Sequence, residues 1–202
     1  MTLVKICGLM RLADTQVINQ VQPDFVGFIL VPNKRRTINL VQAAQLRQAI
    51  QPQIKTVGVF IDAPLTAMLT PFERGIINVI QLHGHESEAT VRTLQAAGAQ
   101  VIQVQQDATP TAADYALYDA AQPGSGTTFD WQQLPSPAPR PFFLAGGLNL
   151  TNISSALTQV HPAGVDVSSG VETAGLKDPA KIAAFVQAVR KFDLEVSPNA
   201  KN

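Results

Sequence analysis

The sequence predicts one α/β domain in which parallel strands alternate with helices. Three observations carry that reading. Eight short runs rich in Val, Ile and Phe recur along the chain, more continuously apolar than alternating, as in strands covered on both faces. Segments with helical spacing or helix-start signals lie between them. No Pro-, Gly- or Ser-rich linker interrupts the 202 residues, of which 46% are hydrophobic, enough for one sizeable core. Strand then helix, repeated, requires right-handed crossovers between parallel strands. A closed eightfold barrel and an open doubly wound sheet both accept this count. A barrel would be a compact one, since about 250 residues are typical.

Taken in order, LVKIC (3–7) and FVGFIL (25–30) are the first two strands, and Asn39 is placed to cap the helix LVQAAQLRQAI. TVGVF (56–60) follows. Leu65, Met68, Leu69 and Phe72 then form one apolar stripe at helical spacing. NVIQL (78–82) leads to a helix with Ser87 as its cap and Gly98 as its stop. VIQVQ (101–105) and YALYD (115–119) are separated by QDATPTAADY, too short for a full helix and read as a loop with a helical turn. Asp130 and Trp131 anchor a helix after the sixth strand, the alternative being that Trp131 approaches a ligand. FFLAG (142–146) precedes a helix lined by Leu150, Ile153, Ala156, Leu157 and Val160, and GVDVS (164–168) is the eighth strand. The last helix starts with Asp178 as cap and Pro179 in first position, and carries the stripe Ile182, Phe185, Val186 and Val189. The domain is expected over residues 1–192, with 193–202 a frayed polar tail.

Charge and cysteine content narrow the function. The 15 basic and 15 acidic residues cancel, so there is no electrostatic footprint for nucleic acid or an anionic membrane. Any anion recognised here is held locally, by a loop or a helix end. The single cysteine cannot form an internal disulfide, which fits a reducing compartment. No apolar run approaches the roughly 20 residues that span a bilayer, and no secretion signal is visible. The expected form is a cytoplasmic monomer with no nucleic-acid or membrane partner.

Chemistry-bearing residues gather where strands end. In order they are Cys7, Arg35 and Arg36, Gln81 and His83, Asp119, Gly146 and Gly147, then Ser168, Ser169 and Gly170. In a barrel these positions line one pocket. LAGGLN sets two glycines between a strand and a helix, and DVSSGVE ends a strand with two serines and a glycine. Glycines let backbone N–H groups approach an anion, and a helix N-terminus adds donors and a favourable dipole. Phosphate is therefore predicted at Gly146, Gly147, Ser168, Ser169 and Gly170; a tight turn is the alternative for the glycine pair alone. Asp166 is placed to face the same pocket from within the eighth strand. His83 lines the pocket or is structural, whereas His85 and His161 are surface positions. HGH lacks a third ligand at suitable spacing for a metal.

KICG (5–8), VGVF (57–60), QLHG (81–84), GSGTTFDW (124–131), AGGLN (145–149) and VDVSSGVE (165–172) together resemble phosphoribosylanthranilate isomerase, in order and over about residues 3 to 190. The resemblance implies a (β/α)8 TIM barrel with its site at the C-terminal ends of the strands. It implies a cofactor-free Amadori rearrangement of N-(5-phosphoribosyl)anthranilate in tryptophan biosynthesis, with that small molecule as the partner. Cys7 matches the family's general base, Asp119 its general acid, and Arg36 the arginine that holds the anthranilate carboxylate. Three departures stand out: Thr37 replaces a frequent aromatic, Pro123 lies in a shortened loop after Asp119, and Ala145 replaces a usual serine.

The chemistry asks for such a set independently. Opening a furanose aminal needs a proton on the ring oxygen, and the resulting Schiff base acidifies the proton on the neighbouring carbon. One protonated and one deprotonated group must flank the sugar. A carboxylic acid and a thiolate serve, though both are minority forms at neutral pH when unperturbed. Lys5, two residues from Cys7, is placed to favour thiolate. The competing readings are structural: a small buried hydrophobe at Cys7, a helix cap at Asp119, solvated charges at Arg35 and Arg36. At the level of function they are another phosphosugar isomerase or synthase on the same barrel, or a non-catalytic phosphosugar-binding descendant.

Overall fold

The computed structural model describes residues 1–105, 110–119, 131, 134, 138 and 140–196. Eight parallel strands close into a barrel in sequence order: β1 Leu3–Cys7, β2 Phe25–Ile29, β3 Lys55–Phe60, β4 Val79–Leu82, β5 Gln100–Gln105, β6 Tyr115–Tyr118, β7 Phe142–Leu144 and β8 Gly164–Val167. The pairing of β8 with β1, which sets Lys5 opposite Asp166, closes the ring and excludes the open sheet. Around it run α1 Asp14–Val21, α2 Leu40–Ala49, α3 Leu65–Glu73, α4 Glu88–Ala96, α5 Ile153–Val160 and α6 Pro179–Val196.

The period-two alternation of each strand splits the core. Val4, Ile6, Val26, Phe28, Ile80 and Val165 face outward and pack against helix residues such as Leu46, Met68, Leu94, Leu157 and Phe185. Phe25, Val57, Val79, Ile102, Leu117 and Phe143 fill the interior. With both faces covered, the strands read as continuous apolar runs. The inward phase that carries Leu3 and Val79 also carries Lys5, Cys7, Gln81 and His83, so the polar site sits on top of an apolar floor.

Helix ends follow their local chemistry. Asn39 Oδ1 accepts from Gln42 N–H, and the Gln42 side chain accepts from Asn39 N–H, a complete capping box. Ser87 accepts from Thr90 N–H, and Gly98 at φ +89° stops α4. Asp178 Oδ1 accepts from the N–H groups of Ala180 and Lys181.

Several expectations change. Helix α1 was not apparent in the sequence: its N-cap is Ala13, and Val17 and Ile18 are its only buried apolar residues. Leu65 and Leu150 leave their predicted stripes and are 37% and 41% exposed; Leu150 precedes α5, which starts at Ile153. Residues 193–196 are not a frayed tail. They complete α6, where Asp193 accepts from Thr2 N–H at 2.8 Å and Thr2 O–H at 2.7 Å. Residues 110–114 form no helical turn. Asp130 with the rest of the helix expected there, the loop holding Pro123, segment 106–109 and residues 197–202 lie outside the described residues.

A short antiparallel hairpin of β9 Glu172–Thr173 and β10 Leu176–Lys177 was also missed. Its turn residues Ala174 and Gly175 have φ of 49° and 79°. Two consecutive positive φ values define a turn that favours Asn-Gly, so Ala174 disguises it. Ala174→Asn is expected to raise stability by about 0.5–1 kcal/mol, the strain of an L-alanine held left-handed being partly relieved. Chemical denaturation of the exposed-site variant checks this; an unchanged or lower midpoint would rule it out.

Candidate active site

A cavity of about 530 Å³ opens at the C-terminal ends of the strands. Cys7 enters from β1, Arg36 from the loop after β2, Gln81 and His83 from β4 and its end, and Asp119 from the end of β6. Gly146 and Gly147 follow β7, while Asp166, Ser168 and Ser169 come from β8 and its end. The strand order places the base candidate on β1 between the β7/β8 loops on one side and the arginine loop on the other. Gly170 is the predicted site residue that the cavity does not include. A Cβ there would run into the Leu148 carbonyl oxygen, so the close approach of the two loops requires this glycine.

Lys5 and Asp166, paired on the neighbouring strands β1 and β8, meet at 2.6 Å with Lys5 fully buried. Burial opposes the Lys5 charge, but Asp166 and Cys7 outweigh it and hold Lys5 above its ordinary value. Cys7 is 7% exposed. Burial pushes its thiol above the ordinary 9.0; Lys5 draws it down, and Asp166 adds to the rise. The expected help from Lys5 is therefore present but overridden, first by burial of the thiol and then by the nearby Asp166 charge. The second carboxylate oxygen of Asp166, Oδ1, is buried and has no hydrogen-bond partner among the described residues.

His83 Nδ1 lies 3.0 Å from Gln81 Nε2. With the amide donating, the ring proton belongs on Nε2, which stands 3.6 Å from Asp119 Oδ2. Burial and the Lys5 charge keep His83 neutral by lowering its pKa. His83 thus joins the pocket, whereas His85 and His161 are exposed. Trp131 packs against the hydrophobic layer between barrel and helices.

Both arginines line the cavity but differ in burial: Arg36 is 7% exposed, whereas the Arg35 side chain is 51% exposed. Gly8, at φ +79°, makes room for Arg36: a Cβ there would lie 2.5 Å from Arg36 Cδ. The glycine after Cys7 in KICG is thereby explained. Thr37, where an aromatic was frequent, staples the arginine loop. Its hydroxyl donates to Val31 O at 2.5 Å and accepts from Lys34 N–H at 2.9 Å.

The two glycine-bearing loops are braced by side-chain hydrogen bonds. Asn149 Nδ2 and Asn152 Nδ2 each donate to Gly147 O at 3.0 Å. Ser168 Oγ donates to Cys7 O at 3.1 Å, and Lys177 Nζ donates to Ser168 O at 2.8 Å. Gly146 and Gly147 have φ of 80° and 65°, and their N–H groups meet no acceptor among the described residues. Sequence reasoning missed Glu172 and Lys177. Glu172 Oε1 accepts from Arg36 Nε at 2.6 Å and Lys177 Nζ at 2.7 Å, and Oε2 accepts from Arg36 Nη2 at 3.0 Å and Arg35 Nη2 at 2.6 Å. The signal available was the charged residue closing VDVSSGVE.

Fold and cavity define a (β/α)8-barrel protein whose ionisable groups converge at the C-terminal mouth. The chain belongs to the N-(5'-phosphoribosyl)anthranilate (PRA) isomerase family, whose model matches residues 4–188. The N-(5'-phosphoribosyl)anthranilate isomerase of Lactiplantibacillus plantarum is 49% identical over 190 residues, covering 93% of this chain and 91% of the relative. The crystal structure of phosphoribosyl anthranilate isomerase from Thermus thermophilus superposes with a TM-score of 0.85 at 30% identity, over 94% of this chain and 99% of the other. A phosphoribosyl anthranilate isomerase in complex with reduced 1-(o-carboxyphenylamino)-1-deoxyribulose 5-phosphate superposes at 0.79 and 30% identity, over 95% of this chain and 100% of the other.

Proposed function

We infer that this chain is the isomerase of tryptophan biosynthesis that converts N-(5-phosphoribosyl)anthranilate into 1-(2-carboxyphenylamino)-1-deoxyribulose 5-phosphate. The observation that carries the site assignment is one cavity holding Cys7 and Asp119 between Arg36 and the Gly146–Gly147 and Ser168–Ser169 loops. The phosphate sits on the N–H groups of Gly146 and Gly147, with Ser169 beside them. The anthranilate carboxylate meets Arg36. Asp119 gives its proton to the ribose ring oxygen as the C1'–O bond breaks, leaving a Schiff base. Cys7 thiolate takes the C2' proton, and the enolamine tautomerises to the ketone. No electrons leave the substrate, so proton transfers suffice and no cofactor is called for. Asp166 Oδ1 and Gln81 Oε1, both buried and unpartnered among the described residues, are acceptors for the sugar hydroxyls. Among the described residues, no helix is long and apolar enough to cross a membrane. We place the enzyme in the cytoplasm, in keeping with its lone thiol, as a monomer; light scattering tests the latter.

Consumption of the substrate, followed by its fluorescence, tests the reading and its pH dependence together. The free-enzyme Cys7 lies above 9.0, so its thiolate is scarcer at neutral pH than an exposed thiolate would be. Asp119 must still carry its proton, so each rise in pH that yields thiolate also removes acid. kcat/KM is therefore expected to be broad and level around neutrality and to fall in the alkaline range once thiolate formation is complete. A steady climb with pH through neutrality and beyond, or no consumption at all, would contradict the assignment.

A further inference from the structure

We propose that Glu172 is the positioning residue that aims Arg36 at the aromatic carboxylate, an inference that rests on the assignment of that carboxylate to Arg36. Glu172 and Arg36 stand 136 residues apart in sequence yet form a two-bond fork, Nε to Oε1 and Nη2 to Oε2. This fork occupies one edge of the guanidinium. The other edge, Nη1 with the second Nη2 hydrogen, meets no acceptor among the described residues, and Arg36 lines the cavity. A guanidinium can offer two parallel N–H groups to each of two carboxylates. One is supplied by the protein and the other is left for the ligand.

The arrangement is held rigidly. The Glu172 side chain is 5% exposed, and its backbone carbonyl accepts from Lys181 Nζ at 2.7 Å. Burial opposes its charge, but Arg36, Lys177 and Arg35 hold the carboxyl at about 2, so it is ionised throughout the working pH range. The Arg36 stem is confined against Gly8. Three cations, Arg35, Arg36 and Lys177, surround this single carboxylate. The cluster therefore keeps an excess positive charge, which a second carboxylate entering the cavity offsets in part. Without Glu172 the Arg36 head would turn about its terminal bonds, and ordering it would count against binding.

The test compares the reaction product with 1-phenylamino-1-deoxyribulose 5-phosphate, which lacks the ring carboxylate, by calorimetric titration. Glu172→Gln is expected to weaken product binding about 10-fold or more, since charge-assisted bonds to Arg36 are lost, while the des-carboxy ligand changes less than about twofold. Inorganic phosphate should bind as in the wild type, because Lys177 retains Ser168 O. KM should rise with kcat largely kept. Glu172→Asp retains the charge but draws the fork back by one methylene, and should show the same selective loss if the glutamine variant folds poorly. Equal weakening of both ligands would mark Glu172 as merely structural, and undiminished product binding would deny it any positioning role; either overturns the proposal. Arg36→Lys is titrated alongside. Should it lose no preference for the carboxylated ligand, the Arg36 assignment itself falls, which is distinct from a failure confined to Glu172.

Discussion

Cys7→Ser is expected to lower kcat by about 10²-fold or more while leaving product affinity and melting temperature near those of the wild type. The inward phase of β1 fixes position 7 in the cavity, and serine fits the same space. The hydroxyl is a far weaker acid than the thiol. Burial, which already disfavours thiolate here, would disfavour alkoxide more strongly. Lys5 cannot compensate, because its charge is shared with Asp166 at 2.6 Å. Asp119→Asn should lose turnover on a similar scale, since an amide cannot deliver a proton to the ring oxygen. The two losses differ in kind: a ring-opened substrate analogue should bypass Asp119→Asn but not Cys7→Ser. Single-turnover and steady-state rates measure both; a Cys7→Ser enzyme with near-normal kcat would remove Cys7 from the mechanism.

Much of this site was legible because barrel strands obey a period of two and end at a common mouth. Once LVKIC is a strand with both faces covered, Lys5 and Cys7 must share one face, and VIQLH likewise sets Gln81 with His83. What was not legible depends on ring closure and on loops that cross space. The Lys5–Asp166 pair exists because β8 returns to β1, joining residues 161 apart in sequence. Its consequence, an Asp166 charge that adds to burial in holding Cys7 above its ordinary value, could not be read from KIC alone. Glu172 was hidden for the same reason, and further because the hairpin that carries it turns through an alanine at positive φ. Gly170 was legible as a special glycine, but its neighbour across the gap, Leu148, was not. The frayed tail was misplaced because the anchoring of Asp193 by Thr2 spans nearly the whole chain.

Gly170→Ala should separate the two loops assigned to phosphate and weaken inorganic phosphate and product together, by about 10-fold or more, with a stability loss of about 1–3 kcal/mol typical of overpacking. The added Cβ would overlap the Leu148 carbonyl oxygen and stand 2.9 Å from its carbon and 3.0 Å from Asn149 Cβ. Backbone atoms cannot rotate aside as a flexible side chain can. The loop after β7 is pinned through Gly147 O by Asn149 and Asn152. The loop after β8 is pinned through Ser168 by Lys177 and through its own bond to Cys7 O. Neither side can yield without breaking a bond that shapes the site, so relief must come from parting the loops. Ser169→Ala provides the contrast: it removes at most one hydroxyl contact and leaves the Gly146 and Gly147 N–H groups in place, so its loss should be milder. Calorimetric titration with phosphate and thermal melting of both variants make the comparison. A Gly170→Ala protein that melts lower yet binds phosphate as the wild type does would move the anion away from the junction of these loops. The substrate would then need another orientation across Cys7 toward Arg36.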